Sequence, residues 1–457
     1  VSDNFKKRFE GYGWDYISIN GHNEKEIFKA LKKVQKAKKP TVISCKTKIG
    51  YGSPNKSGKA SSHGSPLGVD EIKLVRKALN WKTKPFDIPN KILNEWRKIG
   101  QRGEILEKKW NKTLKRKKIK FNQTLKNNFT TVLKKEKENA IKEPKSLATR
   151  KCSEMTLNAL TKQKNNLIGG SADLAGSNNT KTKNHKIIKP GDFTGDYIHY
   201  GVREHAMSGV MNGIALHSNL IPYGGTFLIF SDYCKPSIRL SALMKKRVIY
   251  VMTHDSIGLG EDGPTHQPIE QLSGLRAIPN LNVFRPADRI ETIECWEHAL
   301  KSSKTPSVLS LTRQNLNPVR KTYSNKNLCS LGAYEVLRTN KKINLTILAS
   351  GSEVNLALEV SHKLAKDKIY SKVISMPCME LFELQSKSYK NKILEETKFK
   401  ISIEAGSSDC WKKYVGDNGI AFGIDEFGKS APYKDIYKYF GLESTNIKNI
   451  TKKLLNK

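Results

Sequence analysis

The hydrophobic positions in the N-terminal part of the chain alternate between two periods. Apolar residues recur every three or four positions across residues 23–36, which predicts an amphipathic helix. The β-branched run at residues 41–45 follows it and predicts a short strand. A Gly- and Ser-rich segment at residues 48–68 comes next, and loops that follow strands commonly bind ligands in α/β folds. The pattern therefore predicts an α/β unit with a candidate binding loop.

The same alternation returns after a long polar stretch. Residues 82–145 are rich in Lys, Asn and Glu and show no strand-like alternation, which predicts a helical connector. Beyond it, strand-like runs alternate with helical patterns, as is typical of mostly parallel sheets covered by helices. We therefore predict an α/β fold of three successive units with parallel or mixed sheets. The candidate strands are residues 166–168, 248–252, 307–311, 345–349, 372–375 and 400–404.

The charge of the chain adds one alternative. There are 81 Lys and Arg against 43 Asp and Glu, a formal net charge of +38, which is typical of nucleic-acid-binding proteins. The lysines are spread through nearly every segment, so we favour a solvated basic surface and disfavour nucleic acid as a partner. The run KRKKIK at residues 115–120 is either a nuclear-localisation or nucleic-acid patch or, as we favour, a solvent-facing helix surface.

The apolar runs and the cysteines indicate the cellular compartment of the protein. No stretch approaches the roughly eighteen apolar residues of a membrane helix, and no apolar block follows the basic residues near the N-terminus. We therefore predict neither a membrane span nor Sec export. The seven cysteines are widely separated and form no zinc-like spacing with His. This predicts reduced thiols and a cytoplasmic protein.

Ionisable residues are densest in the segment VMTHDSIGLGEDGPTHQP, residues 251–268. A predicted buried strand here opens into a Gly-rich loop. Each ionisable residue alone is explained by helix capping or by a satisfied core position, but five of them in one loop after a strand indicate a functional site. These five are His254, Asp255, Glu261, Asp262 and His266.

Five segments of the chain resemble motifs of the transketolases. They are long, they are specific, and they are distributed from the first unit to the end of the second. The resemblance extends over the whole chain. The segments are SHGSPLG at 62–68, GGSADLAGSN at 169–178, IHYGVREHAM at 198–207, THDSIGLGEDGPTHQP at 253–268 and LTRQNL at 311–316.

The resemblance implies a domain plan and an activity. Residues 1–115 would be the remainder of the diphosphate-binding domain with a helical connector, residues 116–331 the pyrimidine-binding domain and residues 332–457 the C-terminal transketolase domain. The implied reaction is reversible transfer of a two-carbon ketol unit from a ketose phosphate such as xylulose 5-phosphate to an aldose phosphate such as ribose 5-phosphate, in the pentose phosphate pathway. The implied cofactors are thiamine diphosphate and a divalent metal, Mg or Ca, and the implied assembly is a homodimer.

The resemblance also implies roles for individual residues. Glu204 would bind the cofactor's pyrimidine ring and activate it, although an ion pair with Arg203 is the structural alternative. Phe230 would stack on that ring, although an isolated Phe in an apolar run is ordinarily a core residue. His63 and His266 would exchange protons with the substrate, and Asp262 would contact a substrate hydroxyl.

The phosphate end of the substrate would be held by a clamp from separate segments, since guanidinium groups bind phosphate through paired hydrogen bonds. Surface ion pairing or N-capping is the structural alternative for its members. Asp173 and His63 are further implied cofactor contacts. The clamp residues are Arg150, Ser177, His254 and Arg313.

Two departures from the family pattern stand out. Gly176 occupies a position where many relatives have proline before the serine, which predicts a looser loop around Ser177. The Gly-Asp-Gly segment and downstream Asn that hold the metal in the family have no counterpart here. We therefore expect the first domain to be incomplete and the metal ligands to lie outside this chain. The chain would be a fragment of a longer product, which we favour, or one chain of a two-chain enzyme.

Other functions remain open at this stage. A dihydroxyacetone synthase would share nearly every motif, but the phosphate clamp argues against it. Deoxyxylulose-phosphate synthases and the β subunits of oxo-acid dehydrogenases would keep the activating Glu and lack the paired THQP and LTRQN motifs. A basic RNA-binding or structural protein descended from the enzyme is a further alternative, which we disfavour.

Overall fold

The computed structural model describes residues 2–117, 124–162, 166–395 and 397–455, with side chains omitted for 124–128. The chain divides into two compact units, residues 1–119 and residues 120–457. Within the described ranges, no helix is both long enough and apolar enough to cross a bilayer.

The first unit contains a two-stranded parallel sheet and four helices. Strand β1 pairs with β2 in parallel over their whole lengths, and helix α2 connects them. The Asn23 side chain accepts hydrogen bonds from two backbone amides and caps α2, which confirms the predicted helix–strand unit. The elements are α1 Phe5–Gly11, β1 Asp15–Asn20, α2 Glu24–Val34, β2 Thr41–Lys46, a 3-10 helix Ala60–Ser62, α3 Val69–Ala78 and α4 Asn90–Arg116.

The predicted helical connector is confirmed where the structure describes it. Helix α4 has 27 residues, and helix α5, Thr124–Lys142, follows in the second unit. The basic run at 115–120 begins in the last turn of α4, where Lys115 and Arg116 lie. Its residues 118–120 lie outside the described part of the chain.

A six-stranded parallel sheet forms the first half of the second unit. The strand order is β4-β3-β5-β6-β8-β7, and every pairing in it is parallel. The predicted strands at 166–168, 248–252 and 307–311 are confirmed as β3, β6 and β8. The strands are β3 Leu167–Ser171, β4 Tyr197–His199, β5 Ile221–Phe227, β6 Ile249–Thr253, β7 Asn282–Phe284 and β8 Ser307–Leu311.

Both faces of this sheet are buried, which is why its central strands are apolar throughout. On β6, Ile249 and Val251 belong to one core cluster, around Trp296, whereas Tyr250 and Met252 belong to another. The alternation of side chains along a strand places these pairs on opposite faces. Trp296 donates to Ser153 Oγ at 2.9 Å, so its indole N–H is satisfied within the core.

The second half of this unit contains a five-stranded sheet in the order β13-β12-β10-β11-β9. Strand β9 is antiparallel to β11, and the other pairings are parallel. The predicted strands at 345–349, 372–375 and 400–404 are confirmed, and so is a mostly parallel sheet. The strands are β9 Tyr334–Leu337, β10 Leu345–Ala349, β11 Ser371–Ser375, β12 Phe399–Ile403 and β13 Ile420–Phe422.

Helices cover both sheets of the second unit. The described helices after α5 are α6 Thr149–Thr161, α7 Ala175–Asn178, α8 Glu204–His217, α9 Ser231–Leu243, α10 Gln271–Arg276, α11 Arg289–Lys301, α12 Glu353–Ala365, α13 Met379–Glu383, α14 Lys387–Leu394, α15 Lys412–Val415, α16 Tyr433–Tyr439 and α17 Ser444–Leu455.

Candidate active site

The predicted site residues of the second unit gather at one edge of the six-stranded sheet. The carboxyl ends of parallel strands lie at the same edge, where α/β folds bind ligands. All of the predicted residues in this unit except Arg150 follow such a strand end. Asp173 and Ser177 follow β3, Glu204 follows β4, Phe230 follows β5, His254, Asp262 and His266 follow β6, and Arg313 follows β8.

His254 lies directly after β6 at this edge of the sheet. Its backbone is left-handed, with φ of 60°, and its side chain is buried with 3% of its surface exposed. The ring packs on Phe227 with centroids 3.7 Å apart. Burial, followed by the positive charges of Arg150, Arg313 and His266, lowers the pKa of His254 to about 3. The imidazole is therefore neutral at physiological pH.

Arg150 and Arg313 are brought together by a short backbone ladder. Leu147 and Leu316 form an isolated antiparallel bridge. Next to it, the Thr149 amide donates to Thr312 Oγ1 at 2.9 Å and the Thr312 amide donates to Thr149 Oγ1 at 2.7 Å. These hydrogen bonds place the two following arginines side by side, although they are far apart in sequence.

The two guanidinium groups are not neutralised by carboxylates within the described residues. Arg150 donates to the Ser177 carbonyl at 2.9 Å, and Arg313 donates to the Leu259 carbonyl at 2.8 Å. Burial, followed by the charge of Arg313, lowers the pKa of Arg150. Two unneutralised guanidinium groups beside a neutral imidazole form a site suited to an anion. Surface ion pairing, the structural alternative, is not seen for either arginine.

Aromatic rings form the neighbouring wall of the site. Phe227 and Phe230 stack with centroids 5.6 Å apart, and His266 approaches Phe230 edge-on at 5.6 Å. The Thr265 hydroxyl lies 3.0 Å from His266 Nδ1. Phe230 is half-buried and so is not an ordinary core residue. Its ring also stacks on Tyr233, with centroids 5.8 Å apart, so it belongs to an aromatic wall that can contact a planar ligand.

Glu204 is the first residue of α8 and is buried, with 8% of its surface exposed. The Arg203 side chain donates to the Tyr200 carbonyl at 3.1 Å, and the described structure shows no ion pair between Arg203 and Glu204. Among the described residues no side chain or amide donates to the Glu204 carboxylate. The residue is largely buried while its carboxylate keeps its acceptor capacity, so Glu204 can accept a hydrogen bond from a ligand.

Cys234 connects Glu204 with the aromatic wall. Its thiol donates to the Phe230 carbonyl at 3.8 Å. Burial raises the pKa of Cys234 to about 12, and the Glu204 charge contributes to the rise. Cys234 therefore neighbours both Glu204 and the backbone of Phe230.

The loop at residues 260–268 is anchored by the C-terminal part of the second unit. Gln267 donates to the Gly260 and Lys429 carbonyls at 2.8 and 2.9 Å. The Ser430 hydroxyl donates to the Glu261 carbonyl at 2.6 Å. Asp262 is exposed on this loop.

Two predicted residues lie apart from these groups. Asp173 is exposed and has a left-handed backbone with φ of 61°. His63 is exposed after the 3-10 helix Ala60–Ser62 of the first unit. Its loop is held by Glu71, which accepts from the Asn55 amide and side chain at 2.9 Å. The roles of Asp173 and His63 stay predictions.

The structure adds residues that the sequence analysis missed. Asn178 is buried and donates to Thr253 Oγ1 at 2.7 Å, and Thr253 Oγ1 lies 2.9 Å from His254 Nδ1. The Phe227 ring packs against the His254 ring. In the sequence Phe227 and Thr253 are the last residues of apolar strands, so nothing distinguishes them from core positions. Asn178 ends the motif GGSADLAGSN, and a polar residue there was the available signal.

Asp255 points away from the site into a buried ion-pair joint. This joint consists of Asp255, Arg276, Arg285, Glu353 and Glu404. Arg285 Nε donates to Asp255 at 2.9 Å, and its Nη1 also bonds Glu353. Arg276 binds Glu404 through two hydrogen bonds of 2.7 and 2.8 Å. The joint connects the end of β6 with the ends of β10 and β12, so Asp255 is structural.

Within the described residues, no cluster of three or more His, Cys, Asp or Glu side chains could hold a metal ion. The expectation that the ligands of the divalent metal lie outside this chain stays a prediction. The buried Glu204 carboxylate and the half-buried Phe230 ring fit the pyrimidine end of thiamine diphosphate.

Comparison with protein-family models matches three consecutive stretches of the chain. Residues 1–137 match the transketolase thiamine diphosphate binding domain. Residues 145–319 match the transketolase pyrimidine binding domain, and residues 332–443 match the transketolase-like C-terminal domain. The expectation that part of the first domain is missing gains no support from these matches.

Individual relatives match over nearly the whole chain. A transketolase from Sinorhizobium medicae (strain WSM419) is 45% identical over 454 residues, which are 98% of this chain and 65% of that protein. The solved transketolase from Campylobacter jejuni subsp. jejuni NCTC 11168 is 38% identical with a TM-score of 0.86, covering 99% of this chain and 69% of that one. A Pichia stipitis transketolase variant in complex with xylulose 5-phosphate is 34% identical with a TM-score of 0.88, covering 100% and 69%. The chain thus spans about two thirds of the length of these relatives.

Proposed function

This chain belongs to the transketolase family, and from that premise we propose that the protein carrying it transfers a two-carbon ketol unit between sugar phosphates. The donor would be a ketose phosphate such as xylulose 5-phosphate, which the Pichia stipitis relative binds, and the acceptor an aldose phosphate such as ribose 5-phosphate. Thiamine diphosphate, when bound, supplies the carbon nucleophile that accepts and releases the two-carbon unit.

The observation that carries this proposal is the environment of Glu204. The residue is buried, its carboxylate has no donor among the described residues, and Cys234 neighbours both Glu204 and the Phe230 carbonyl. The Glu204 carboxylate would accept a hydrogen bond from a protonated ring nitrogen of the pyrimidine. This bond would hold the ring in the tautomer that activates the cofactor. Phe230 would stack on the same ring and exclude water from it.

The unneutralised arginines support the substrate class. Arg150, Arg313 and the neutral His254 would bind the terminal phosphate together, with Ser177 beside Arg150. A phosphate dianion would supply the negative charge that no described carboxylate supplies. This arrangement favours a phosphorylated substrate over the formaldehyde acceptor of a dihydroxyacetone synthase.

The remaining predicted roles complete the proposal. His266, edge-on to Phe230, and His63 of the first unit would move protons at the reacting carbonyl and hydroxyl groups. Asp262 would contact a substrate hydroxyl, and Asp173 would contact the cofactor. The homodimer, the cytoplasmic location, the divalent metal and the domain limits at 115/116 and 331/332 are parts of the same proposal.

The central test replaces Glu204. We expect Glu204→Gln to lower turnover at least ~100-fold, the usual scale for loss of an acid–base group, while the thermal unfolding midpoint changes little. The assay measures ketol transfer from xylulose 5-phosphate to ribose 5-phosphate by the enzyme that contains this chain, with thiamine diphosphate and Mg²⁺ added. Glu261→Gln is the matched control, because Glu261 is exposed on the same sheet edge. Near-normal turnover of Glu204→Gln would contradict the assignment.

A further inference from the structure

His254 is connected to a chain of hydrogen bonds that begins inside the sheet. Ser171 Oγ shares its proton between Asn178 Oδ1 at 3.1 Å and the Gly225 carbonyl at 3.2 Å, and Asn178 Nδ2 donates to Thr253 Oγ1 at 2.7 Å. Thr253 Oγ1 lies 2.9 Å from His254 Nδ1. Ser171, Asn178 and Thr253 are each fully buried, with exposures of 0%. Water therefore has no access to these three side chains. Their hydrogen-bonding protons are shared with other protein atoms and not with solvent.

The direction of these bonds determines which ring nitrogen of His254 carries the proton. A threonine hydroxyl has one proton to donate. Thr253 Oγ1 accepts from the Asn178 amide, and its other hydrogen-bond contact among the described residues is His254 Nδ1, so donation of its own proton to an unprotonated Nδ1 satisfies both groups. A neutral imidazole with an unprotonated Nδ1 carries its proton on Nε2.

The other ring nitrogen, Nε2, is the one that remains for a ligand. Among the described residues none hydrogen-bonds to His254 Nε2, and the charges of Arg150, Arg313 and His266 all act on this ring. A phosphate oxygen is an acceptor and would be repelled by a lone pair on Nε2. It would accept a hydrogen bond from an Nε2–H group without any need for the ring to be charged.

We propose that Asn178 and Thr253 are positioning residues that hold His254 in its Nε2–H tautomer and so make it an uncharged hydrogen-bond donor to the substrate phosphate. This inference rests on the proposed function only for the identity of the ligand. The tautomer itself is a property of the protein without ligand. Since the pKa of His254 is lowered to about 3, a fixed tautomer is the available way for this histidine to attract an anion at neutral pH.

The first measurement reads the tautomer directly. The protein with selectively ¹⁵N-labelled histidine would be studied by NMR at neutral pH without ligand, and the His254 signals would be identified by their loss in His254→Gln. We expect the chemical shifts of an unprotonated Nδ1 and a protonated Nε2. A protonated Nδ1 in the unsubstituted protein would overturn the inference.

The second measurement reverses the relay. In Asn178→Asp the introduced carboxylate can only accept, so Thr253 must donate to it and accept from His254 Nδ1–H. We expect the tautomer to invert and the affinity for inorganic phosphate, measured by calorimetry, to fall by about tenfold or more, the scale of one hydrogen bond to a charged group. An unchanged tautomer in this variant would overturn the inference.

A double variant separates the relay from simple charge repulsion. Asn178→Asp combined with Thr253→Val keeps the added charge but removes the hydroxyl that transmits it. We expect this double variant to bind phosphate more tightly than Asn178→Asp alone. Equal affinities would show that charge alone is responsible and would overturn the relay.

Thr226→Val is the matched control for folding and packing. Thr226 is fully buried on the adjacent strand β5, and its hydroxyl has no partner among the described residues. In Thr226→Val we expect the His254 tautomer and the phosphate affinity to equal those of the unsubstituted protein. If the unsubstituted protein shows the predicted tautomer but does not bind phosphate, the relay stands and the phosphate clamp of the proposed function fails.

Discussion

Charged residues lie at the carboxyl edges of both sheets of the second unit, but they differ in whether they have partners of opposite charge. At the carboxyl edge of the six-stranded sheet, Arg150 and Arg313 donate only to backbone carbonyls among the hydrogen bonds described. At the carboxyl edge of the five-stranded sheet, Glu353 and Glu404 are fully buried and bonded to arginines. Arg150 and Arg313 stay unneutralised at the first edge. Glu353 and Glu404 at the second edge are neutralised by Arg285 and Arg276, which come from the half of the unit that contains the six-stranded sheet.

The difference separates a binding site from a structural connection. Parallel α/β topology brings polar residues to the carboxyl edge of both sheets, so position alone does not identify function. Pairing does. A charge that has an opposite charge within hydrogen-bond distance has little left to offer a ligand, and a charge held only by carbonyl groups still attracts an anion.

The largest effect is expected when the ion-pair joint is broken. Arg285→Met would leave the Asp255 and Glu353 carboxylates buried without their main partner, and removal of one member of a buried pair costs about 3–5 kcal/mol. Urea unfolding would measure this loss of free energy. Arg313→Met, the same change at the open edge, should alter stability by no more than about 0.5 kcal/mol. Equal losses in the two variants would remove the distinction between the sheets.

The joint should also give the protein acid sensitivity. Burial opposes ionisation of Glu404, but Arg276, Arg285 and the Ser350 hydroxyl outweigh it and lower its pKa from 4.5 to about 2. Because the folded pKa lies below the unfolded one, this stabilisation is present above about pH 4.5 and is lost as pH falls towards 2. The shift corresponds to ~3 kcal/mol.

Urea unfolding between pH 5 and pH 2 would measure this loss. We expect the unsubstituted protein to lose stability more steeply over this range than Glu404→Gln, which has no carboxylate to protonate at this position. Parallel pH profiles of the two proteins would assign the acid sensitivity to other groups.

At the open edge the expected effect is on binding. Arg313→Met should raise the KM for xylulose 5-phosphate by about tenfold, since one charge-assisted hydrogen bond to phosphate is lost. The KM for hydroxypyruvate, a donor without phosphate, should stay unchanged. Steady-state kinetics with the two donors measures both values, and an equal rise for both would count against a phosphate role.

The smallest expected effect is an absence of titration. His254 is buried and faces the charges of Arg150, Arg313 and His266, which together lower its pKa to about 3. The NMR shifts of its ring should therefore stay constant between pH 5 and pH 8. A titration midpoint of the His254 ring near pH 6.5 would show that the ring is hydrated and that its surroundings are more open than the structure indicates.

The sequence predicted the elements with strong periodicity and missed those that tertiary packing determines. Strand β5 contains Pro222, Gly224 and Gly225, residues that argue against a strand interior. A Cβ atom at Gly224 would lie 2.7 Å from Met211 Sδ of helix α8. A side chain at this position would displace the methionines of α8, a contact that a single sequence does not reveal.

The same limit applied to the candidate site. The motifs correctly indicated that His254 and Arg313 belong to one edge, because the carboxyl ends of parallel strands meet there. They grouped Asp255 with His254, although its carboxylate turns towards Arg285. The partner of a charged side chain depends on residues that are distant in sequence, so neighbouring residues of one motif can have unrelated roles.

The anchor of the 260–268 loop has a consequence for how this sequence can diverge. Gln267 binds the backbone carbonyl of Lys429, and Ser430 binds the backbone carbonyl of Glu261. Every residue type presents that carbonyl, so positions 261 and 429 can change side chain without loss of the anchor. In this chain, with its 81 Lys and Arg, a lysine therefore lies at position 429 beside the loop that carries His266, and the loop is held without any use of the lysine side chain.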